Sequence, residues 1–331
     1  MENRPRRARE SSLSVVVPVF NEEGNLRSLH ERLTSVVQPL VGDYEIIFVN
    51  DGSTDHSMQL MGELAAVDPH VRFLGFTRNF GHESATSAGL DYASGDAVVI
   101  IDADLQDPPG VIAEMVQRWE EGYDIVYGRR TQRKEEPALK RLSSHVFYRV
   151  MRRIAEVEIP LDTGDFRIMD RRMVEYFRLL RERNRFVRAE IAWLGGNTTE
   201  VLYERDRRLE GKTTYNFTKR LKLSMDGIAS FSAMPLHIMS VLGFAVFFLS
   251  LVAILVVFIQ KIFFGIPVPG YAFLVISLFF LNGVEIFFIG MLGEYVARIY
   301  REVQDRPLYL ISSMGGFEVE EDGEGSLPGD V

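Results

Sequence analysis

The chain has no cysteine among its 331 residues. Disulfide bonds, a thiolate nucleophile and a zinc site with cysteine ligands are therefore all excluded. Its six histidines are scattered along the chain without the spacing that is typical of metal ligands. His82 falls near the candidate site, and we interpret it from the sequence as a structural histidine whose hydrogen bonds are satisfied.

Basic charge is also scarce. The chain has 37 Lys and Arg residues against 46 Asp and Glu residues, a net charge of −9, which argues against nucleic acid as the main partner. The sequence contains neither a Gly-x-x-x-x-Gly-Lys-Ser/Thr loop nor Gly-x-Gly-x-x-Gly, so the P-loop and dinucleotide-binding functions lack support. The basic N-terminal segment has no long apolar run, and it is not typical of a secretory signal.

The most informative segment is an apolar run that ends in acidic residues. Residues 97–101 have the composition of a buried strand, and Asp102-Ala-Asp104-Leu-Gln106-Asp-Pro-Pro follows them. If strand alternation continues, Asp102 and Asp104 point to one side. Oxygen ligands of this kind bind hard divalent cations such as Mg²⁺ or Mn²⁺. The segment predicts a metal site that clamps a diphosphate, although an Asp-x-Asp pair alone is also common in turns.

Two upstream segments repeat this plan of an apolar strand followed by a polar turn. A strand that starts at Leu13 leads to Pro-Val-Phe-Asn-Glu at 18–22, and one that starts at Tyr44 leads to Asn-Asp-Gly-Ser-Thr-Asp at 50–55. The other predicted elements are strands at 71–76 and 123–127 and helices at 81–93 and 111–121. This alternation predicts an α/β fold, a mostly parallel sheet with helices on both faces. Ligands of such sheets bind beyond the carboxyl ends of the strands, where the three turns would converge.

These three motifs, in this order, resemble those of the family 2 (GT-A type) inverting glycosyltransferases. The resemblance covers roughly residues 12–230. It is greatest to the branch that contains dolichol-phosphate mannose synthase and the bacterial polyprenyl-phosphate (bactoprenol) glucosyltransferases. The resemblance implies a nucleotide-sugar donor that is bound together with Mg²⁺ or Mn²⁺.

The resemblance also implies roles for individual residues. The donor-binding residues would be Pro18, Phe20, Glu22, Val49, Asp51, Asp102, Ala103, Arg130 and Lys212. Asp51 would accept a hydrogen bond from the base, and Asp102, Asp104 and Gln106 would hold the metal, which gives Asp104 a catalytic role. The family usually has tyrosine where Phe20 stands, so one hydroxyl contact is missing here.

Basic residues point to the acceptor phosphate. By resemblance to the mannose synthases, the residues near phosphate groups would be Arg129, Arg130, Arg141, Ser143 and Ser144. The planar fork of arginine suits phosphate, and the alternative is that each is an ordinary surface arginine. Gly211-Lys212-Thr-Thr214-Tyr resembles the family's Gly-x-Ser/Thr-Lys-Tyr loop over the donor. Thr214 replaces the usual lysine, so Lys212 or Arg208 would supply the charge.

The segment from Asp162 to Asp170 resembles the family's Asp-x-x-Ser/Thr-Gly-x-Arg pattern. Asp162 or Asp165 would act as a base or orient the nucleophile. A phosphate monoester is largely ionised at pH 7, because its second pKa is near ~6. We therefore expect these two carboxylates to orient the acceptor first.

Two long apolar segments near the C-terminus predict transmembrane helices. Residues 237–259 contain no charged residue, and residues 271–292 are interrupted only by Asn282 and Glu285. Each segment is long enough to cross a bilayer; buried core helices are the alternative. Basic residues flank the pair on the side of both termini, so both termini and the catalytic domain are expected on the cytoplasmic side of the inner membrane. Glu285 favours self-association, unless it lies at a wetted interface.

The sequence thus divides into five parts. They are a basic tail (1–11), a catalytic domain (12–216), an interfacial amphipathic helix (217–233), two transmembrane helices (234–297) and a cytoplasmic tail (298–331) that is acidic and disordered at its end. A second basic amphipathic helix is predicted at 141–154. Such helices lie in the headgroup plane, although packing on an ordinary core would give the same pattern.

A membrane anchor favours an acceptor that stays in the bilayer. We expect transfer of a hexose, glucose from UDP-glucose, to the phosphate of undecaprenyl phosphate, with inversion. The lipid phosphate would attack the anomeric carbon opposite the leaving diphosphate, whose charge the metal neutralises. GDP-mannose is the alternative donor. A processive polysaccharide synthase would add Gln-x-x-Arg-Trp and more spans, which the sequence lacks. A nucleotidyltransferase or a non-enzymatic membrane scaffold fits the acidic crevice less well.

Overall fold

The computed structural model describes residues 10–131, 163–205 except 181 and 184, 234–264 and 270–317. Some predictions fall outside these ranges. They are the basic tail up to residue 9, Arg141, Ser143, Ser144, Asp162, Arg208, Lys212, Thr214, the interfacial helices at 141–154 and 217–233, and the end of the acidic tail from residue 318. The chain divides into two compact units, and among the described residues one contains a β-sheet with helices and the other two long helices.

An eight-stranded sheet forms the first unit. Its strands are β1 (Ser12–Val19), β2 (Asp43–Asn50), β3 (Val71–Phe76), β4 (Ala97–Ile100), β5 (Ile125–Arg130), β6 (Thr163–Asp170), β7 (Thr198–Tyr203) and β8 (Ile311–Gly315). Their order in the sheet is β7-β5-β6-β4-β1-β2-β3-β8. β1 to β4 pair with one another in parallel, as predicted. The whole sheet is mixed, because β6 lies antiparallel between β4 and β5 and β8 is antiparallel to β3.

Helices cover both faces of this sheet, which confirms the α/β prediction. They are α1 (Leu26–Val37), α2 (Ser57–Val67), α3 (His82–Tyr92), α4 (Val111–Glu120), α5 (Arg171–Leu179) and α6 (Val187–Leu194). One buried cluster joins the sheet to α1, α2 and α4, and the other joins it to α3, α5 and α6. Strand alternation produces this division: Val15 and Val17 belong to the first cluster and Val16 to the second. A Cβ at Gly89 of α3 would collide with Val16, so this glycine allows the close approach of α3 to β1.

β8 belongs to a segment that was predicted only as a tail. Thr77 donates its backbone N–H to the carbonyl of Leu310 at 3.0 Å. The ring of Tyr309 stacks on Phe76 with centroids 5.1 Å apart, and its hydroxyl donates to Asp91 at 2.9 Å. The last part of the described chain therefore completes the edge of the sheet.

The second unit contains the helices α7 (Met234–Phe264) and α8 (Tyr271–Val303). Within α8, residues Ser277–Val303 are long and apolar enough to cross a membrane. Among the residues of α7 whose side chains are described, the apolar stretch is Met239–Val252. One candidate span is thus found among the described residues, and the second span stays a prediction.

Candidate active site

The turns that follow β1 and β2 are hydrogen-bonded to each other at the carboxyl edge of the sheet. Asn21 accepts from the backbone N–H of Thr54 at 2.8 Å, and its own N–H donates to the hydroxyl of Ser53 at 3.0 Å. The N–H of Glu23 donates to Asp55 at 3.1 Å. Asn21 has a φ of 57°, a conformation that asparagine tolerates better than most residues. The two sequence motifs are therefore structural partners, and each fixes the backbone of the other.

A pocket of about 200 Å³ lies beside these turns. Its lining residues are Pro18, Val19, Phe20, Asp51, Asn79, Gly81, His82 and Ala85. Three residues of the predicted donor set, Pro18, Phe20 and Asp51, are among them. Glu22 instead accepts a hydrogen bond from the Asn25 amide at 2.5 Å, and Val49 is fully buried in the core. The pocket is smaller than the ~300–1,000 Å³ of typical ligand sites.

Asp51 holds one wall of the pocket in place. Its carboxylate accepts from the backbone N–H of Phe80 at 2.6 Å and from that of Gly81 at 3.0 and 3.1 Å. Burial raises the pKa of Asp51, and these hydrogen bonds act in the opposite direction. Gly52 has a φ of +66°, and a Cβ there would lie 2.5 Å from the carbonyl carbon of Arg78. A carboxylate has about four acceptor sites, so Asp51 keeps capacity for a ligand N–H.

Asp102 and Asp104 lie in the turn after β4, which ends at Ile100. Strand alternation is therefore not what orients them, contrary to the reasoning from the sequence. Asp104 Oδ1 accepts from the N–H of Gln106 at 3.1 Å, across Leu105 with a φ of 57°. The two carboxylates have different neighbours: Asp102 lies next to His82 and Asp165, whereas Asp104 lies next to Arg205. Ala103, between them, is buried.

The neighbours of Asp102 form a chain of short contacts. His82 Nε2 lies 3.2 Å from Asp165 Oδ2 and 3.7 Å from Asp102 Oδ1. Arg188 binds both carboxylate oxygens of Asp165, at 2.6 and 2.7 Å. Arg167, fully buried, adds a third positive charge 3.7 Å from Asp165. We call these residues, His82, Asp102, Asp165, Arg167 and Arg188, the His82 network.

Charge within the His82 network shifts several pKa values. Burial alone would raise the pKa of Asp165, but the hydrogen bonds from Arg188 and His82 hold it well below its usual range. Burial alone would lower the pKa of His82. The hydrogen bond to Asp165 and the charge of Asp102 outweigh this effect and raise the pKa to about 9. Burial raises the pKa of Asp102 to about 6. Asp165 is therefore an ionised, fully paired carboxylate and a weak base.

A second polar cluster surrounds the fully buried Asp107. The Tyr203 hydroxyl donates to its carboxylate at 2.6 Å, and Arg130 Nη2 lies 3.3 Å away. Arg130 Nε also donates to the Tyr203 oxygen at 3.1 Å, and Arg205 Nε lies 3.6 Å from Asp107. A Cβ on Gly164 would lie 2.5 Å from Arg130 Nη2, so this glycine leaves space for the guanidinium. We call Asp104, Asp107, Arg130, Tyr203 and Arg205 the Asp107 cluster.

Arg129 is not part of this cluster. Its Nη1 pairs with Glu200 of β7 at 2.8 Å, and both side chains are more than two fifths exposed. Adjacent residues of a strand point to opposite faces. Of the two arginines that end β5, Arg130 is therefore the one that the structure brings next to the Asp102–Asp107 turn.

The donor atoms at this turn fit a hard divalent cation. Asp102 and Asp104 are partly exposed, and the Gln106 side chain follows in the same turn. One ligand atom from each of His82, Asp102 and Asp165 lies within 4.8 Å of the others. Carboxylate and amide oxygens are the ligands that Mg²⁺ and Mn²⁺ prefer. The residues present are thus able to hold the metal that the sequence predicts.

Several residues of the site were not predicted from the sequence. His82 was interpreted as structural, and Asp107, Arg188, Tyr203 and Arg205 were not assigned. Asp107 stands inside the Asp-Ala-Asp-Leu-Gln-Asp motif, so its position in the sequence was a usable signal. The other three are brought in by β7 and α6, and no local pattern marks them.

Comparison with known proteins gives a consistent result. The model of Glycosyl transferase family 2 matches residues 14–177. The chain is 45% identical over 306 residues to the uncharacterized glycosyltransferase sll0501 of Synechocystis sp., covering 92% of this chain and 96% of that protein. It is 42% identical over 299 residues to the SfII prophage-derived bactoprenol glucosyl transferase of Shigella flexneri, covering 90% and 97%. The crystal structure of Mycobacterium tuberculosis glucosyl-3-phosphoglycerate synthase with Mn²⁺, uridine diphosphate and glucosyl-3-phosphoglycerate has a TM-score of 0.45 at 20% identity, covering 66% and 78%. The chain therefore belongs to glycosyl transferase family 2.

Proposed function

We propose that this enzyme transfers glucose from UDP-glucose to the phosphate of a membrane polyprenyl phosphate, undecaprenyl phosphate, with inversion. The observation that carries the proposal is an identity of 40% to 42% with proteins named bactoprenol glucosyl transferase, over 90% of this chain. A match of that extent continues beyond the family domain at residues 14–177 and into the apolar helix Ser277–Val303. The likeness thus includes this apolar helix as well as the family domain.

The donor would bind in the pocket beside the β1 and β2 turns. Pro18 and Phe20 offer apolar contact to the base, and Asp51 offers an acceptor for a base N–H. The proposed donor set keeps four further residues, which would contact the donor or support residues that do: Glu22, Val49, Ala103 and Lys212. Asp102, Asp104 and Gln106 would hold Mg²⁺ or Mn²⁺, which when bound neutralises charge on the leaving diphosphate.

Arg130 was predicted in the donor set and near phosphate groups, and we propose that the acceptor phosphate binds on its side. Asp107 and Tyr203 hold this guanidinium in place, so the side chain would lose little conformational freedom when it binds an anion. Arg129, Arg141, Ser143 and Ser144 complete the proposed acceptor set. Two hydrogen bonds from one arginine give a phosphate a defined orientation.

Proton removal from the acceptor is not required. The second pKa of a phosphate monoester is near ~6, so the nucleophile is already ionised at pH 7. Asp165 has a pKa well below its usual range and both oxygens engaged by Arg188, which suits a role in fixing the site. We therefore propose that Asp165 and Asp162 orient the acceptor. The reaction would be a direct displacement by the lipid phosphate oxygen.

The proposal includes the arrangement in the membrane. The catalytic domain (12–216) and both termini would be cytoplasmic, with spans at about 237–259 and 271–292 and interfacial helices at 141–154 and 217–233. Ser277–Val303 has the composition of such a span. Asn282 and Glu285 would favour self-association within the membrane.

Turnover by the full-length protein in detergent tests the function. Labelled UDP-glucose and GDP-mannose are each offered with undecaprenyl phosphate, and with undecaprenol as the matched acceptor that lacks phosphate. We expect a glucosyl lipid from UDP-glucose and undecaprenyl phosphate only, and only with Mg²⁺ or Mn²⁺. A polymeric product would indicate a processive synthase, and failure to form any glycolipid would refute the proposal.

A second candidate is a GDP-mannose-dependent mannosyltransferase. Asp51 suits GDP-mannose as well as UDP-glucose, because its carboxylate is able to accept a hydrogen bond from an N–H of guanine or of uracil. Calorimetric titration with UDP and GDP in the presence of Mn²⁺ separates the two donors. GDP binding at least tenfold tighter than UDP binding, about 1.4 kcal/mol, would favour the mannosyl donor.

A further inference from the structure

Arg205 lies between two carboxylates of the Asp102–Asp107 turn, and among the described residues no hydrogen bond fixes its guanidinium. Its Nη2 is 3.5 Å from Asp104 Oδ2, and its Nε is 3.6 Å from Asp107 Oδ1. The Nε is buried and has no hydrogen-bond partner among the described residues, while the side chain as a whole is 33% exposed. Charge attraction to the two carboxylates is therefore the interaction that the structure shows for this guanidinium.

The two carboxylates depend on Arg205 to different degrees. Asp107 already receives a hydrogen bond from Tyr203 and lies within 3.4 Å of Arg130. For Asp104, in the part of the chain that the structure describes, Arg205 is the one cationic side chain within 4 Å. Loss of Arg205 thus changes the electrostatic potential at the Asp104 carboxylate far more than the potential at the Asp107 carboxylate.

We propose that Arg205 makes metal binding at Asp104 depend on the diphosphate of the donor. This inference rests on the proposed function. A guanidinium 3.5 Å from Oδ2 repels a divalent cation that approaches the same oxygen, so it weakens the binding of free metal. A diphosphate offers anionic oxygens that a guanidinium binds as a fork, and it draws Arg205 away from Asp104.

Arg205 thereby couples the two ligands of the donor site. With the guanidinium on the diphosphate, Asp104 is available to the metal, and the metal in turn strengthens diphosphate binding. By linkage, each ligand raises the affinity for the other by the same factor. The side chain acts on the metal through Asp104 and on the nucleotide by contact.

Calorimetry on the full-length protein in detergent tests this coupling. Mn²⁺ alone is titrated first, and UDP is then titrated at saturating Mn²⁺. Arg205→Gln and Arg205→Met remove the charge, Arg205→Lys retains it, and Arg118→Gln removes an exposed arginine that pairs with Glu121 on α4. Circular dichroism verifies that each variant is folded.

We expect opposite shifts in the two titrations. Both neutral variants should bind Mn²⁺ alone at least about threefold more tightly and UDP at least about threefold more weakly than the wild type. Arg205→Lys and Arg118→Gln should bind Mn²⁺ alone as the wild type does. Neutral variants with unchanged or weaker Mn²⁺ binding, or with unchanged UDP binding, would overturn this inference alone. A wild-type protein that binds neither Mn²⁺ nor UDP would overturn the proposed function, and the inference with it.

Discussion

The two carboxylates of the Asp-x-Asp turn have very different surroundings. Asp102 lies next to the His82 network, in which Arg188 binds Asp165 at 2.6 and 2.7 Å. Asp104 lies in the Asp107 cluster, where Arg205 reaches its two carboxylates only at 3.5 and 3.6 Å. On the Asp102 side, which we call the closed side, short ion pairs hold Asp165, and Asp102 itself lies 3.7 Å from His82. On the Asp104 side, which we call the open side, Arg205 approaches neither carboxylate more closely than 3.5 Å. We infer that the first side fixes the geometry of the site and the second responds to the charge of the ligands.

The largest effect on activity should come from the open side, through substitution of Asp104. Asp104→Asn should reduce turnover by at least about 100-fold, because a neutral amide lacks the negative charge of the carboxylate and binds the metal that stabilises the leaving diphosphate more weakly. The protein should remain folded by circular dichroism and lose Mn²⁺ binding in calorimetry. Asp43→Asn, at an exposed aspartate at the start of β2, is the control and should have full activity. Full activity of Asp104→Asn, or of the wild type in EDTA, would contradict the metal site.

The closed side should contribute mainly to stability. Arg188→Met leaves the buried Asp165 without its bidentate partner and should lower the free energy of unfolding by about 2 kcal/mol, less than for a fully buried pair because Arg188 is partly exposed. The measurement is urea denaturation in detergent at pH 7. Since the pKa of Asp165 lies below its ordinary value, the difference from the wild type should shrink as the pH falls below about 4.

Arg172→Met provides the matched control for this variant. Arg172 pairs with Asp124 at 2.6 Å and, at a longer 3.3 Å, with Asp170, but its side chain is 53% exposed. Removal of a surface pair of this kind should cost less than about 1 kcal/mol. Equal losses in the two variants would mean that the His82 network has no special role in stability.

A smaller effect of the closed side should appear at alkaline pH. The pKa of His82 is raised to about 9, so its stabilising contribution is fully present below about pH 6.5 and is lost as the pH rises through 9. In EDTA, the free energy of unfolding of the wild type should therefore fall between pH 7 and pH 10 by more than that of His82→Gln. His56→Gln, at an exposed histidine that pairs with Glu23, is the control. The idea fails if His82→Gln and wild type lose the same amount.

The smallest effect should come from the space beside Arg130. Gly164→Ala places a Cβ 2.5 Å from Arg130 Nη2, so the guanidinium has to shift and its hydrogen bonds weaken. We expect KM for undecaprenyl phosphate to rise about fivefold, which corresponds to the loss of roughly one hydrogen bond. Gly110→Ala, where a Cβ meets no atom within 4 Å, is the control. An unchanged KM would mean that Arg130 does not bind the acceptor phosphate.

Much of the fold was predictable because it is encoded locally. Strand β2 and helix α4 have apolar patterns that continue into polar turns, and both were predicted close to their observed bounds. β8 was not predicted, because Ile-Ser-Ser-Met-Gly has no strand pattern of its own and follows the long apolar helix α8. Its position depends on the free edge of β3, which is a tertiary property.

The candidate site was predictable to a similar extent. Pro18, Phe20 and Asp51 line one pocket, as their common position after parallel strands suggests. The pairing of His82 with Asp165 joins residues 83 positions apart, and no motif contains both. Donor, acceptor and metal roles of individual residues stay predictions until the variants above are measured.

The anomeric configuration of the product tests direct displacement most directly. In the proposed reaction the lipid phosphate is the nucleophile, because Asp165 is fully paired with Arg188 and His82. NMR of the glycolipid formed from UDP-α-glucose and undecaprenyl phosphate should therefore show a β-glucosyl phosphate. An α-glucosyl phosphate would require a second displacement through a protein group, and it would contradict the account.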